Sequence, residues 1–160
     1  MNDEIYEFYV ASNRIYVADP CYGLSSIYGG SFAAKEGQWF ACTMDVDDFI
    51  GELWIWHEDA DDVDLMEDAK VDSNIVIGIE SGRAGFFDED GFQKFAGEVP
   101  GDCEHVHQHC YGISVKPGPG NGIYKCFVKR EGDKVIGARL VFFGDELAAP
   151  SKGPKLVANA

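Results

Sequence analysis

The residues with the clearest capacity for chemistry lie between Cys103 and Cys110, where the run Cys-Glu-His-Val-His-Gln-His-Cys places Cys103, His105, His107 and His109 two positions apart. In extended chain, residues two apart share a face. The four side chains would then project together, and two or three imidazole or thiolate donors at about 2.0 to 2.3 Å are what a zinc ion takes. Zinc is therefore the cofactor this pattern admits. A polar strand that binds nothing has the same spacing, and a zinc site commonly takes a ligand from elsewhere in the chain. Cys110 and His57 are the histidine or cysteine candidates for that role.

A second set of polar residues sits on turns. Asp19 precedes Pro20, Glu80 and Arg83 flank Ser81-Gly82, Asp88 follows Phe86-Phe87, and Asn121 lies in Lys-Pro-Gly-Pro-Gly-Asn-Gly. If these turns converge at one end of a sheet, Asp19, Glu80, Arg83, Asp88 and Asn121 form a polar cluster in a glycine-lined cleft that suits a small polar ligand. The amides of residues 82–85 and 118–122 would approach that ligand, and Arg83 would meet an anionic group. The alternative is that Asp19 and Asp88 close an Asx-turn and cap a helix, while Arg83 forms a structural ion pair.

The third feature is charge. The 160-residue chain carries a net charge of −15, and from Asp45 to Asp72 there are twelve acidic residues against one basic residue, Lys70. Such a surface does not bind nucleic acid directly, because neutralising phosphates needs clustered lysine and arginine. It suits a basic protein partner, with Trp54 and Trp56 as aromatic anchors and Asp61, Asp62 and Asp64 in a charged rim that steers association. The bland alternative is a solvated face that serves solubility.

Several classes fall away. There is no Gly-x-Ser-x-Gly elbow, no phosphate-binding loop and no Cys-x-x-Cys pair. Asp88-Glu89-Asp90-Gly91 lacks the later ligands of a calcium loop. Five cysteines, an odd number, fit reduced thiols better than a disulfide framework. No apolar run reaches the roughly 20 residues that span a bilayer, and the N-terminus lacks the basic and apolar regions of an export signal. A cytoplasmic protein with no membrane association is expected.

The elements that must position these residues read mainly as strands. Arg14 to Ala18, Gly37 to Met44, Glu52 to His57, Ile75 to Ile79 and Tyr111 to Val115 are strand-like, and Phe86-Phe87 resumes a strand after a glycine-rich turn. Asp88 is placed to N-cap a short helix carrying Phe92 and Phe95. Residues 23–36 read as a loop or one weak helix, and Glu58 to Asp68 as an acidic helix or loop. Ile123 to Lys129 and Lys134 to Phe143 alternate around Glu131-Gly132-Asp133 as a hairpin. About eight strands and at most two short helices, without regular strand-helix alternation, predict a mainly β fold: an antiparallel sandwich or half-open barrel. Residues 1–147 read as one β-rich domain and 148–160 as a flexible C-terminal tail.

Three separated pieces, Ile15 to Tyr22 (IYVADPCY), Ile77 to Phe92 (IGIESGRAGFFDEDGF) and Gly118 to Phe143, follow in order a pattern that resembles the domain of unknown function 4241 family, in particular its short phage-encoded versions with Asp-Pro-Cys-Tyr. Gly37-Gln38-Trp39 fits the pattern's Pro-Gly-x-Tyr position. Ala18 stands where that family has glycine, and Asn121 replaces an acidic residue, which argues against a catalytic or metal-binding carboxylate there. The resemblance implies a β-rich fold and a phage origin, and no activity. Of the functions compatible with these features, a small acidic binding or inhibitor protein acting on a host protein or small polar ligand is the leading expectation. A metal-dependent enzyme built on His105, His107 and His109, a virion or scaffold component, and a nucleic-acid mimic are the alternatives.

Overall fold

A computed structural model describes residues 4–20, 29–60, 72–95 and 106–142 of the chain. Among these are eleven strands: β1 Tyr6–Val10, β2 Arg14–Ala18, β3 Gly30–Ala33, β4 Gly37–Val46, β5 Phe49–His57, β6 Asp72–Ile79, β7 Ala84–Asp88, β8 Val106–His109, β9 Gly112–Val115, β10 Gly122–Glu131 and β11 Lys134–Val141. One helix, α1 Glu89–Phe95, is described. The strands form a six-stranded sheet in the order β1-β4-β5-β11-β10-β6 and a five-stranded sheet in the order β3-β2-β7-β9-β8. Every named strand pairing is antiparallel. The fold is a β-rich sandwich and not a closed barrel.

Period-two alternation explains which side chains meet in the middle. Ile15 and Val17 of β2, Phe86 of β7 and Ile113 of β9 are buried from one sheet, and Trp39, Leu53, Ile55, Cys126 and Leu140 from the other. Trp39 fills the largest share of this layer and satisfies its indole by donating Nε1–H to Lys35 O at 2.8 Å. The β10–β11 hairpin forms as expected, with Glu131 paired to Lys134 and Gly132 at φ +68°. That is a backbone region glycine enters at no steric cost.

Residues 30–33, expected in a loop or weak helix, form strand β3, because pairing with β2 (Ile15 opposite Phe32) places Phe32 in the core. The edge strand β1 was not anticipated either. The helix begins after Asp88 as predicted, but the Asp88 carboxylate does not turn to the helix. Its Oδ1 accepts from Ala11 N (3.1 Å), Ser12 N (3.0 Å) and Ser12 Oγ (2.6 Å). Those residues form the corner where the chain passes from the first sheet to the second, with Asn13 at φ +68°. Asp19 does the equivalent at the β6–β7 corner: Oδ2 accepts from Glu80 N (2.9 Å) and Ser81 N (2.7 Å), and Oδ1 accepts from Ser81 Oγ (2.5 Å).

Candidate functional site

Of the five turn residues, Asp19, Glu80 and Asn121 lie at one end of the sheets and Asp88 at the other. Asp19 is buried against the β6–β7 corner. Glu80 and Asn121 are exposed and continue from the Ile79–Gly122 pair. Asp88 pairs with Ile15, at the far end of β7 from the Gly85–Ala18 pair, so roughly 13 Å of strand separates it from the Asp19 end. Gly85 lies inside β7 with β2 on one side and β9 on the other, so its peptide belongs to the sheet and is not presented to a ligand.

Arg83 is fully buried. It donates from Nε to Ser114 Oγ at 3.2 Å and from a terminal nitrogen to Ser114 O at 3.2 Å. This places it on the face of the five-stranded sheet that turns away from the sandwich core. Registers fix the rest of that face: Tyr16 lies opposite Phe87, Phe87 opposite Gly112 and Gly112 opposite His109, while Ser114 lies opposite both Gly85 and His107. Ala18, Phe87 and Phe92 form a small buried cluster with Tyr16 and Tyr111 packed on it, so helix α1 covers one end of the face. The Phe87 and Phe92 rings stack with centroids 5.0 Å apart.

Of the predicted histidine row, Cys103 and His105 lie outside the described residues. His107 and His109 share one face of β8, as their spacing requires, with ring centroids 4.3 Å apart. His109 also packs edge-on against Phe87 (5.8 Å) and lies 4.9 Å from Tyr111. Its Nε2 is buried and has no hydrogen-bond partner. Burial first, then the charges of His107 and Arg83, pull its pKa down to about 4, so the ring is neutral near pH 7. Among the described residues no group of three or more histidine, cysteine, aspartate or glutamate side chains is placed to hold a metal ion. His57 offers no spare donor, because Nε2 bonds Glu36 O at 2.8 Å and Nδ1 accepts from Asp59 N at 3.0 Å.

The depressed His109 pKa has a consequence for stability. Between about pH 4 and the ordinary value of 6.5 the unfolded chain binds this proton more readily than the fold does. The contribution of the neutral ring is present above pH 6.5 and lost as pH falls through 4. Discounted for partial exposure, it amounts to about 2 kcal/mol. Urea midpoints of the wild type should fall over this window more steeply than those of His109→Gln, and equal slopes would remove His109 as the cause.

The proposed partner surface divides. Trp54 is buried, donates Nε1–H to Glu52 Oε1 at 2.7 Å and packs with Cys42 on the outer face of the six-stranded sheet. Glu52 also pairs with Arg139 at 3.3 Å, and the Arg139 guanidinium lies 5.2 Å over the Phe127 ring. Trp56 is half-buried beside Phe40, with ring centroids 6.1 Å apart. Trp54 is thus tied into its own sheet. Asp61, Asp62 and Asp64 lie outside the described residues. Cys42 and Cys126 are buried free thiols, and burial raises the pKa of both, that of Cys42 to about 11, so neither is a nucleophile at neutral pH.

No family model, curated protein or solved structure matches the chain. No helix among the described residues is long and apolar enough to cross a membrane.

The sequence pointed to His107 and His109 by spacing and to Arg83 by its glycine neighbours, but not to their meeting. Ser114, Phe87 and Tyr111 carried no local signal, since only the β7-β9-β8 pairing assembles them.

Proposed function

We propose that this is a small binding protein without a catalytic set of its own, which captures a small polar ligand on the outer face of the five-stranded sheet. The observation that carries the reading is the buried, unpartnered Nε2 of His109. A buried polar atom without a partner costs about 1 to 3 kcal/mol, and a bound group that pairs with it returns that stability. The half-buried Tyr111 ring beside it supplies the apolar surface that ligand sites combine with a few fixed polar groups. The resemblance to the domain of unknown function 4241 family adds a phage setting to this proposal and no chemistry.

A second reading, zinc held by His107 and His109 with Cys103 and His105, is supported by the 4.3 Å ring separation and by the neutral state of His109, which leaves a nitrogen lone pair for a metal. Native mass spectrometry of protein purified without a histidine tag separates the two. An organic mass increment that disappears on unfolding and is lost in His109→Gln supports the ligand reading. Zinc at one equivalent per chain supports the second, and less than about 0.2 equivalents after zinc addition removes it.

A further inference from the structure

Among the described residues six large hydrophobic side chains are exposed, and five of them, Tyr9, Val46, Phe49, Val76 and Ile123, lie on the outer face of the six-stranded sheet. Strand alternation puts them there. Their neighbours Val10, Ile50, Ile77 and Tyr124 point into the core, and Val46 lies opposite Phe49. The registers join this face into one surface. One row across the sheet runs Glu7, Phe40, Trp56, Gly137 and Lys129, and another runs Met44, Glu52, Val141, Lys125 and Val76. Single apolar side chains are ordinary on a protein surface, whereas a contiguous patch marks a contact site. Helix α1 packs on β2 and β7, in the other sheet.

We propose that this face is the interface of a homodimer, in which two copies stack sheet on sheet about a two-fold axis that runs parallel to the strands between β5 and β11. Charge selects a second copy as the occupant. The chain has 28 acidic and 13 basic residues, so two copies repel each other over most orientations. The outer face of the six-stranded sheet has no such excess of acid. Glu52 pairs with Arg139 at 3.3 Å, and the other charged residues of the two rows are Glu7 on β1 and Lys125 and Lys129 on β10. An axis parallel to the strands sets β1 over β6 of the second copy and β4 over its β10, so the margin with Glu7 meets the margin with Lys125 twice over. An axis across the strands would set β1 over β1 and β10 over β10, like charge against like. The dimensions also suit a dimer. Six strands about 4.8 Å apart, with roughly eight residues of about 3.3 Å each, make a face of about 750 Å², close to the roughly 800 Å² that each partner gives to a standard interface. This interface is on the opposite side of the sandwich from the proposed ligand and does not depend on it.

The test is sedimentation equilibrium of the full chain over about 1 to 300 μM protein, a range that covers dissociation constants in the micromolar decades. The expected result is a rise with concentration from 17.6 kDa to twice that mass and no further. Val76→Glu combined with Ile123→Glu places two anions on exposed positions of the face, and it should raise the dissociation constant at least about tenfold. Lys125→Glu, at another exposed position, should weaken the dimer in the same direction. Gln93→Glu adds a negative charge at an exposed position of α1, on the other sheet, and should leave the dimer as it is. Far-ultraviolet circular dichroism of each variant at a concentration where the wild type is monomeric shows that the fold is kept. Equal weakening by Gln93→Glu and Lys125→Glu overturns the interface, since net charge alone would then govern association. A dimer that withstands the double variant places the contact elsewhere and overturns it too. A monomer at the highest concentration means that another segment of the chain or a different partner covers the face, and a mass that climbs beyond two chains excludes the two-fold arrangement.

Discussion

Gly85→Ala should destabilise the protein by about 4 kcal/mol. A Cβ at Gly85 would stand 2.0 Å from Ile113 O and 2.8 Å from Ser114 Cα, both backbone atoms of β9. No rotamer relieves a clash with backbone, so β7 and β9 must separate, and with them goes the pairing that carries Ser114 and His109 to the outer face. Gly82→Ala is the control. Gly82 sits at φ +83° with nothing within 4 Å of an added Cβ, so its substitution carries only the backbone cost of about 1 kcal/mol. Thermal unfolding should show Tm lowered by about 10 °C or more for Gly85→Ala and by a few degrees for Gly82→Ala. Equal shifts would mean that positive φ, and not strand approach, is what the glycines of this segment serve.

The contrast between the two glycines also explains how far the sequence could be read. Glycine at 82 and at 85 looks the same in a string, as part of a turn between two apolar runs. One is a turn residue and the other a strand residue that lets two backbones close up, and only the β9 partner, some thirty positions away, distinguishes them. Strands with strong alternation were legible: β2, β10 and β11 place Ile15, Val17, Tyr124, Cys126, Val128 and Leu140 inward as period two demands. Strand β3 was not, because Gly-Ser-Phe-Ala has one large apolar residue and owes its state to pairing with β2.

The site followed the same division. His107 and His109 on one face needed only the spacing, whereas Arg83 between glycines suggested an open loop. Its burial comes from tertiary structure: the segment lies on the sheet's outer face, where Arg83 reaches Ser114 on β9. In the sequence, Asp19 and Asp88 suit both a ligand group and a turn-closing group. The hydrogen bonds place them at the two corners where the chain passes from the six-stranded to the five-stranded sheet. A corner that changes sheets must leave backbone N–H groups without ladder partners, so an acidic side chain from another element is a physical requirement there.

That requirement sets the second large effect. Asp19→Ala should cost about 3 kcal/mol, because it removes the acceptor for Glu80 N, Ser81 N and Ser81 Oγ together at a side chain that is 1% exposed. A lone surface hydrogen bond contributes much less. Here two peptide donors lose their acceptor at once, and β6 and β7 are joined through them across the two layers of the sandwich. Asp19→Asn keeps one acceptor oxygen but places an amide donor where the second stood, facing either the two peptide N–H groups or the Ser81 hydroxyl. It should therefore lose about half as much as Asp19→Ala. Ser81→Ala removes only the hydroxyl contact and should cost about 1 kcal/mol. Urea unfolding of the three variants should rank Asp19→Ala, Asp19→Asn and Ser81→Ala in descending loss of midpoint, with the slope unchanged. If Asp19→Ala proves no worse than Ser81→Ala, the backbone donors at 80 and 81 are satisfied by water, and Asp19 is not what holds the corner closed.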